Sequence, residues 1–327
     1  MPRGVRLLIL LFCLFPGKAA VAQEALRTLT WLGGQPTGGW FQQSAGIAEL
    51  LKGAGARIAV KPAAGAAFGN LNKVQEGAAE LAWSLPPVIA AAYQGEATFA
   101  KPQSDVRLVM TGLGFVVTQV CVADESPART VRDLFAGGAP VALGAPRPGG
   151  SDDWELRKIF AFYGTSYEDF QRRGGRLVVG SFADMVGQFR ERKIDAFMLN
   201  NAIPAEDVEQ AARGRRTRIL PMDDDLLRAL AASGIVRGVV PKGSYRDLAN
   251  GDRDIPTAAM ANTIVASVKL PDEVVYEFTR TLLAKLPDLR RVHPGFADFD
   301  PRDAVRLANV PLHPGAERAY REVQLLP

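Results

Sequence analysis

The sequence predicts an α/β fold built as two lobes. Three observations lead there. The chain has 327 residues, the length of two ordinary domains. Short β-rich runs alternate with helix-like segments, the pattern of mainly parallel sheets flanked by helices. Two β-rich stretches, near residues 116–124 and 234–242, flank a compact middle unit and read as two crossings between lobes. On this reading residues 1–22 are a cleaved leader. Residues 23–119 and 239–327 form the first lobe, and residues 120–238 the second.

The leader comes first. Arg3 and Arg6 make a basic start, residues 7–15 (LLILLFCLF) an apolar run, and Ala20-Val21-Ala22 a small-residue cleavage signal before Gln23. This is the plan of a secretory signal peptide. The apolar run is too short for a spanning helix, which takes roughly 17 to 25 residues. Phe12 before Cys13 departs from a lipoprotein pattern. The expectation is an exported, soluble, periplasmic protein.

Residues 26–32 (LRTLTWL) read as the first strand and run into the loop GGQPTGG, residues 33–39. Residues 40–53 read as a helix, with Phe41, Ile47, Ala48, Leu50 and Leu51 as its apolar positions. Residues 57–60 and 79–83 read as strands around a helix at 66–77. An Ala-rich helix follows at 88–93, then β-rich runs at 106–111 and 115–122. In the middle unit, a helix is expected at 130–135 and a strand at 141–143 entering the loop GAPRPGGSDD. Helices at 154–163, 181–190 (Ser181 as N-cap) and 225–232 alternate with strands at 176–179, 194–199, 218–220 and 235–240. A strand at 263–268 and a long helix at 271–286 close the pattern, with Pro271 in the first turn.

Charge narrows the function classes. Lys plus Arg number 39 against 35 Asp plus Glu, a net charge of +4 that invites a nucleic-acid reading. Loss of the leader removes Arg3, Arg6 and Lys18 and no acid, which leaves 36 against 35. Arg213, Arg215, Arg216 and Arg218 cluster without interleaved aromatics and read as a solvated loop, so no nucleic-acid partner is expected. Cys13 also leaves, and Cys121 alone cannot form an internal disulfide. The two histidines, His293 and His313, stand in Pro-Gly turns near the C-terminus. No base stands near a candidate nucleophile and no metal-ligand spacing occurs.

The two glycine-rich loops are the candidate site. Each follows a strand and opens a helix. Glycine lets backbone approach a ligand, and the free amides of a helix start suit an anion. In the first loop Thr37 adds a hydroxyl donor; in the second, Ser151 could donate or, with Asp152, simply cap the helix at Trp154. Two such loops at equivalent points of two α/β lobes would face each other across one cleft.

The co-linear order of GGQPTGGWF, GAAFGNLNKVQEGAAELAWS, VALGAPRPGGSDD, SFADMVGQFRERKIDAFMLNNAIP, VPKGSY, LPDEVVYEFTRTLLAKL and PLHPGAERAYRE resembles the TAXI family, the solute-binding proteins of TRAP transporters. The resemblance covers essentially the whole mature chain. It implies a two-lobed periplasmic-binding-protein fold, type II-like, with two hinge crossings. It implies a monomeric receptor without enzymatic activity or cofactor. Such a receptor captures a small organic solute, of carboxylate type, and delivers it to a TRAP-type membrane permease. Carried over, the ligand-binding residues are Gln35, Thr37, Gly38, Gly39, Trp40, Ser84, Leu85, Gly150, Ser151, Asp152, Asn200, Asn201 and Tyr245. The chain departs from the family where Trp40 and Phe41 replace Thr-Tyr-Tyr, where Leu85-Pro86-Pro87 replaces a polar pair, and where Asp152 replaces Thr. Asp152 puts a negative charge near the expected anion site, which favours a more apolar solute or one carrying a cationic amine. A sensory receptor without a permease, and a hydrolase on the same fold, are the alternative readings.

Overall fold

The computed structural model of the chain describes residues 26–36, 38–96, 98–136, 140–305 and 310–327. The leader reading of residues 1–22 and the candidate Thr37 lie outside them. Strand β1 (Arg27–Leu32) buries Leu29, Trp31 and Leu32 and leads into helix α1 (Gly39–Gly53). Strand β2 (Ile58–Ala63), helix α2 (Ala67–Gln75), strand β3 (Leu81–Ser84), helix α3 (Pro86–Gln94) and strand β4 (Val106–Met110) follow. β1 lies between β2 and β3 and runs parallel to both, as helix connections require. All four residues of β3 are buried, as expected of a strand covered on both faces.

The chain then enters the second lobe along β5 (Phe115–Ala123), whose residues are buried from Val116 onward. Helix α4 (Val131–Phe135), β6 (Ala142–Pro146), α5 (Ser151–Phe162), α6 (Tyr167–Arg172), β7 (Arg176–Gly180), α7 (Phe182–Arg190) and β8 (Ala196–Asn201) come next. Helix α8 (Glu206–Gly214), β9 (Thr217–Ile219), α9 (Asp224–Ala231), β10 (Val236–Val240) and β11 (Ile255–Ala261) complete this lobe. Its strand order is β10-β11-β5-β8-β6-β7, with β9 on β5. The chain returns in β12 (Thr263–Ser267), which joins the first sheet between β3 and β4. Helices α10 (Asp272–Ala284), α11 (Leu286–Val292) and α12 (Pro314–Glu322) cover that lobe. Both sheets are mixed. Pairing is parallel in β2-β1-β3 and β7-β6-β8, and antiparallel where β5, β11 and β12 join their neighbours.

The return crossing sits later than the sequence suggests. The expected boundary at 239 falls inside β10, which pairs along its length with β11, and β11 pairs with β5. The chain leaves the second sheet only at Ala261–Thr263. β11 is hard to see in the sequence because IPTAAMA holds a proline and three alanines and few β-branched residues. Helices α6, α8 and α12 were not expected either; α12 buries Gly315, Ala316, Ala319 and Tyr320, and small residues carry little periodic signal.

The outward crossing, residues 111–114, lies against the return crossing. Leu113 N–H donates to Asn262 O at 3.3 Å and Asn262 N–H to Gly114 O at 2.9 Å. Asn262 Nδ2 donates to Leu113 O at 3.0 Å, and the hydroxyls of Thr111 and Thr263 meet at 2.7 Å. Gly114 has φ +72, and a Cβ there would lie 2.2 Å from the carbonyl oxygen of Gly295, so no other residue fits. The histidines serve the same lobe. His313 is fully buried; its Nδ1 accepts from Gly315 N–H at 3.2 Å while its Nε2 stands 3.0 Å from Leu270 O. An accepting Nδ1 makes the ring neutral with Nε2–H donating to that carbonyl, and burial holds its pKa below the ordinary value. His293 caps the turn Pro294–Phe296 in the same way. Both histidines are helix caps.

Candidate functional site

Between the two sheets lies a cavity of about 530 Å³, within the range of sites for small organic molecules. It sits at the carboxyl ends of β1, β2, β6, β7 and β8, where open α/β sheets bind ligands. The first lobe contributes Gly34, Gln35, Gly38, Gly39, Trp40 and Gln43, with Gly65, Ala66 and Ala67. The second contributes the loop from Pro146 to Gly150, then Ser151 and Asp152, Gly180 to Phe182, and Asn200 to Ala202. Asn262 of the return crossing closes the floor. Across one rim, Phe68 of α2 and Trp154 of α5 meet with ring centroids 6.2 Å apart, a direct contact between the lobes.

Three helices begin at this cavity without a side-chain cap. The N-caps are Gly38 for α1, Ala66 for α2 and Gly150 for α5. Their first amides are the unsatisfied donors of each helix, and the positive end of each macrodipole points the same way. α7, which also begins here, is capped by Ser181 and Asp184. The uncapped starts follow from the sequence: Gly and Ala stand where Ser, Thr, Asp or Asn would fold back on the backbone.

The wall of α5 has the opposite sign. Asp152 is half-buried at the cavity surface, and Glu155, one turn on, is fully buried beneath it. Glu155 accepts from Thr118 Oγ1 at 2.7 Å and from Asn200 Nδ2 at 2.6 Å. Burial pushes the Glu155 carboxyl up to about 7 against those two hydrogen bonds. Burial, and then the charges of Glu155 and Asp153, push Asp152 up to about 8. Asp153 is spoken for by Arg157 at 3.0 Å and Tyr167 at 2.9 Å. Among the described lining residues Arg147 is the one cationic side chain; it is 70% exposed and stands 3.5 Å from Asp184.

Of the residues expected at the site, Gln35, Gly38, Gly39, Trp40, Gly150, Ser151, Asp152, Asn200 and Asn201 line one cavity. Ser151 and Asp152 lie within the first turn of α5, and Gly150 is its N-cap, so the helix starts three residues before the expected Trp154. Asn201 is largely occupied, with Oδ1 accepting from Ala202 N–H at 2.9 Å. Ser84, Leu85 and Tyr245 are elsewhere. Ser84 is fully buried and donates to Ala67 O at 3.2 Å, so the start of α2 stands between it and the cavity. Leu85 is fully buried in the core. Tyr245 packs in the second lobe, where its hydroxyl accepts from Ala205 N–H at 2.9 Å and donates to Gln119 Oε1 at 2.5 Å. Tyr245→Phe will therefore cost stability, about 1–3 kcal/mol, by stranding two buried partners. It will leave solute affinity in a titration unchanged; a tenfold loss of affinity at unchanged stability would put Tyr245 at the site.

Sequence reasoning missed Gln43, Glu155 and Asn262. Gln43 sits one turn into α1, and its position four residues after Gly39 is the only trace it leaves. Glu155 is i+3 from Asp152 and so on the same helix face, a relation visible once the helix start is known. Asn262 carries no motif. Its Oδ1 accepts from Trp40 Nε1 at 2.7 Å, which ties a cavity-lining ring to the crossing.

Among the described residues no group of His, Cys, Asp and Glu could hold a metal ion, and no helix is long and apolar enough to cross a membrane. Solved structures share the fold. The periplasmic sulfonate-binding protein SsuA of Methylobacillus flagellatus KT is 14% identical, with 92% of this chain and 96% of that one covered at a TM-score of 0.53. A periplasmic transporter protein is also 14% identical, with coverages of 91% and 93% and a TM-score of 0.52. An ancestral arginine-binding protein bound to arginine is 11% identical, with coverages of 83% and 99% and a TM-score of 0.50. At these identities the likeness establishes the two-lobed periplasmic-binding-protein fold and nothing finer. The model of the NMT1-like family matches residues 32–323, so the whole two-lobed unit is spanned and the chain belongs to the NMT1-like family.

Proposed function

We propose that this protein is a periplasmic solute-binding receptor. It captures a small organic solute bearing a carboxylate-type group and delivers it to a TRAP-type secondary transporter. The observation that carries the reading is the cavity of about 530 Å³ between the lobes, onto which three uncapped helix starts open. A carboxylate set against α1 and α2 would satisfy amides that the protein leaves unmet. Closure follows from differential affinity, because only the closed form offers groups of both lobes at once. The resemblance of the glycine-rich loops and the C-terminal PLHPGAERAYRE to the TAXI family supports the TRAP-type partner. The leader-like residues 1–22 support export. The sulfonate-binding neighbour belongs to an ABC transporter, but its 14% identity reaches the fold and not the transport partner.

A panel of dicarboxylates, amino acids and aromatic acids, read by thermal melting, tests the reading. A true solute adds about 2.7 kcal/mol at a hundredfold excess over its Kd. Ala66→Asp separates folding from binding. Ala66 is exposed, has extended backbone and caps α2 without a side-chain bond. An Asp there caps the helix and stabilises the apo protein by about 0.5–2 kcal/mol. It also places a carboxylate at the anion seat and lowers solute affinity by about tenfold or more. Undiminished binding in this variant removes the anion seat from α2. Failure of every small solute to shift the melt removes the receptor reading.

A further inference from the structure

We infer that Phe68 and Trp154 form an aromatic latch between the lobes, outside the cavity, that holds the cleft closed and slows its opening. The closed population rests on these contacts alone; slowed release of a solute rests also on the receptor reading above.

Neither ring lines the cavity. Phe68 is the second residue of α2 and Trp154 the fourth of α5, so each stands near the start of a helix that begins at the cleft. The two helices belong to different lobes, joined only through the crossings at 111–114 and 261–263. Rotation about those crossings parts the rings. Their centroids lie 6.2 Å apart with planes at 60°, an edge-to-face pair of the kind aromatic quadrupoles favour. Each ring is braced within its own lobe. Phe68 is 4% exposed and stacks on Phe99 at 5.5 Å and 25°. Trp154 is half-buried, and Lys158 Nζ, one turn on in α5, lies 4.5 Å from its ring centroid. A continuous row, Phe99–Phe68–Trp154–Lys158, thus runs from one lobe to the other.

Two further approaches of the lobes are made at glycines. A Cβ on Gly39 would lie 3.3 Å from Asn201 Oδ1 and 3.6 Å from Ala202 Cβ, and a Cβ on Gly234 would lie 3.4 Å from Pro87 Cβ. Of the three contacts the ring pair alone joins two large side chains. Because both rings are already braced, they lose little side-chain freedom when they meet. Parting them returns to water the face of Phe68 that Trp154 covers, which is unfavourable. No solute group takes part, so the latch favours the closed form with or without solute. An aromatic pair corresponds to about two- to tenfold in the ratio of closed to open molecules, and the covered apolar surface adds to this. A bound solute leaves only after opening, so the same contact slows its release.

The test is the interlobe distance in the full mature chain with no solute added, read by pulsed electron spin resonance between nitroxide labels at Glu49→Cys of α1 and Arg172→Cys of α6. Those side chains are 76% and 77% exposed, and Cys121 is fully buried and stays unlabelled. The parent is expected to show a short-distance population. Trp154→Ala lowers the ratio of short to long distances by about tenfold, Phe68→Ala does likewise, and Trp154→Phe recovers part of the loss. The double alanine variant opens no further than the more damaging single one, because each ring acts through the other. Melts check that each variant folds; should Phe68→Ala fail to fold, the two Trp154 variants decide. A parent with the long distance alone, a distribution that Trp154→Ala leaves unchanged, or additive single effects overturns the latch. Succinate, glutamate and benzoate, members of the panel above, then test release by stopped-flow tryptophan fluorescence. Any that binds should leave Trp154→Ala about tenfold faster than the parent, and an unchanged rate overturns the slowed release. Binding by none of the panel removes the receptor reading, and the label distances still decide the latch.

Discussion

Asn262→Ala will destabilise the protein by about 2–5 kcal/mol and weaken solute binding by about tenfold or more, the largest effect of any single polar deletion foreseen here. Asn262 is 1% exposed and both ends of its amide are used. Nδ2 donates to Leu113 O at 3.0 Å and Oδ1 accepts from Trp40 Nε1 at 2.7 Å. Truncation strands a buried carbonyl and a buried indole N–H, each costing the desolvation of an unmade bond. The loss reaches function because the two bonds join different parts of the machine. One holds the crossings together, and the other fixes Trp40, a wall of the cleft stacked on Trp83 at 6.4 Å. Trp83 Nε1 is itself held by Ser44 Oγ at 2.8 Å, so Trp40 stacks on a ring that is already fixed. Urea unfolding followed by tryptophan fluorescence reads the first effect and solute titration the second. Asn262→Asp keeps the acceptor for Trp40 but turns a carboxylate oxygen toward Leu113 O, so its affinity should fall between those of the parent and Asn262→Ala. A ΔΔG below about 0.5 kcal/mol for Asn262→Ala would show that this bond network bears no weight in the fold.

Glu155→Gln will flatten the pH dependence of stability. An unfolded chain holds a glutamate near its ordinary pKa of about 4.3. The folded chain holds Glu155 at about 7, raised by burial. Between those values the folded state binds the proton more tightly, so the extra stability is complete below about pH 4 and is lost as pH rises through 7. A shift of this size corresponds to roughly 4 kcal/mol. Asp152, raised to about 8, acts in the same direction and extends the slope past neutrality. The ligand-free protein should therefore melt several degrees lower at pH 8 than at pH 5. Glu155→Gln keeps a side chain for Thr118 and Asn200 and removes one of the two raised carboxyls, so about half of that difference should vanish and the part due to Asp152 should remain. A parent protein equally stable at both pH values would falsify the assignment of a raised carboxyl to this wall. A cationic solute reverses the trend, because it stabilises the ionised form and releases the proton.

Some of this was legible in the residues. Strand β1, helix α1 and the GGQPTGG loop between them follow from a short β-rich run, a period of three to four and a glycine cluster, and each falls within a residue or two of its place. Ser181 caps α7 as its position before an amphipathic run requires. Two glycine-rich loops facing one cleft was likewise a local inference, since each loop alone shows a strand end and a helix start. The failures are of another kind. Ser84 and Tyr245 were polar residues at suggestive positions, and polar side chains serve buried backbone as readily as ligands; Ala67 O and Ala205 N–H claim them here. β11 was missed because its partners, β5 and β10, give the segment a strand geometry that its alanines do not favour.

The order of residues alone set the alternation of strands and helices, the two glycine-rich loops between strand and helix, and the acid Asp152 beside the second of them. These are properties of neighbours along the chain, where spacing and side-chain type act directly. That Gln43, Glu155 and Asn262 belong to the site, and that the return crossing lies at Asn262, follows from the folded chain. Their roles come from partners far away in sequence: Gln43 with His293, Glu155 with Thr118 and Asn200, Asn262 with Trp40 and Leu113. Hydrogen bonds between distant segments exist only after the sheets have formed. Burial, which raises the two carboxyls, is a property of the assembled lobes and not of any residue in the chain.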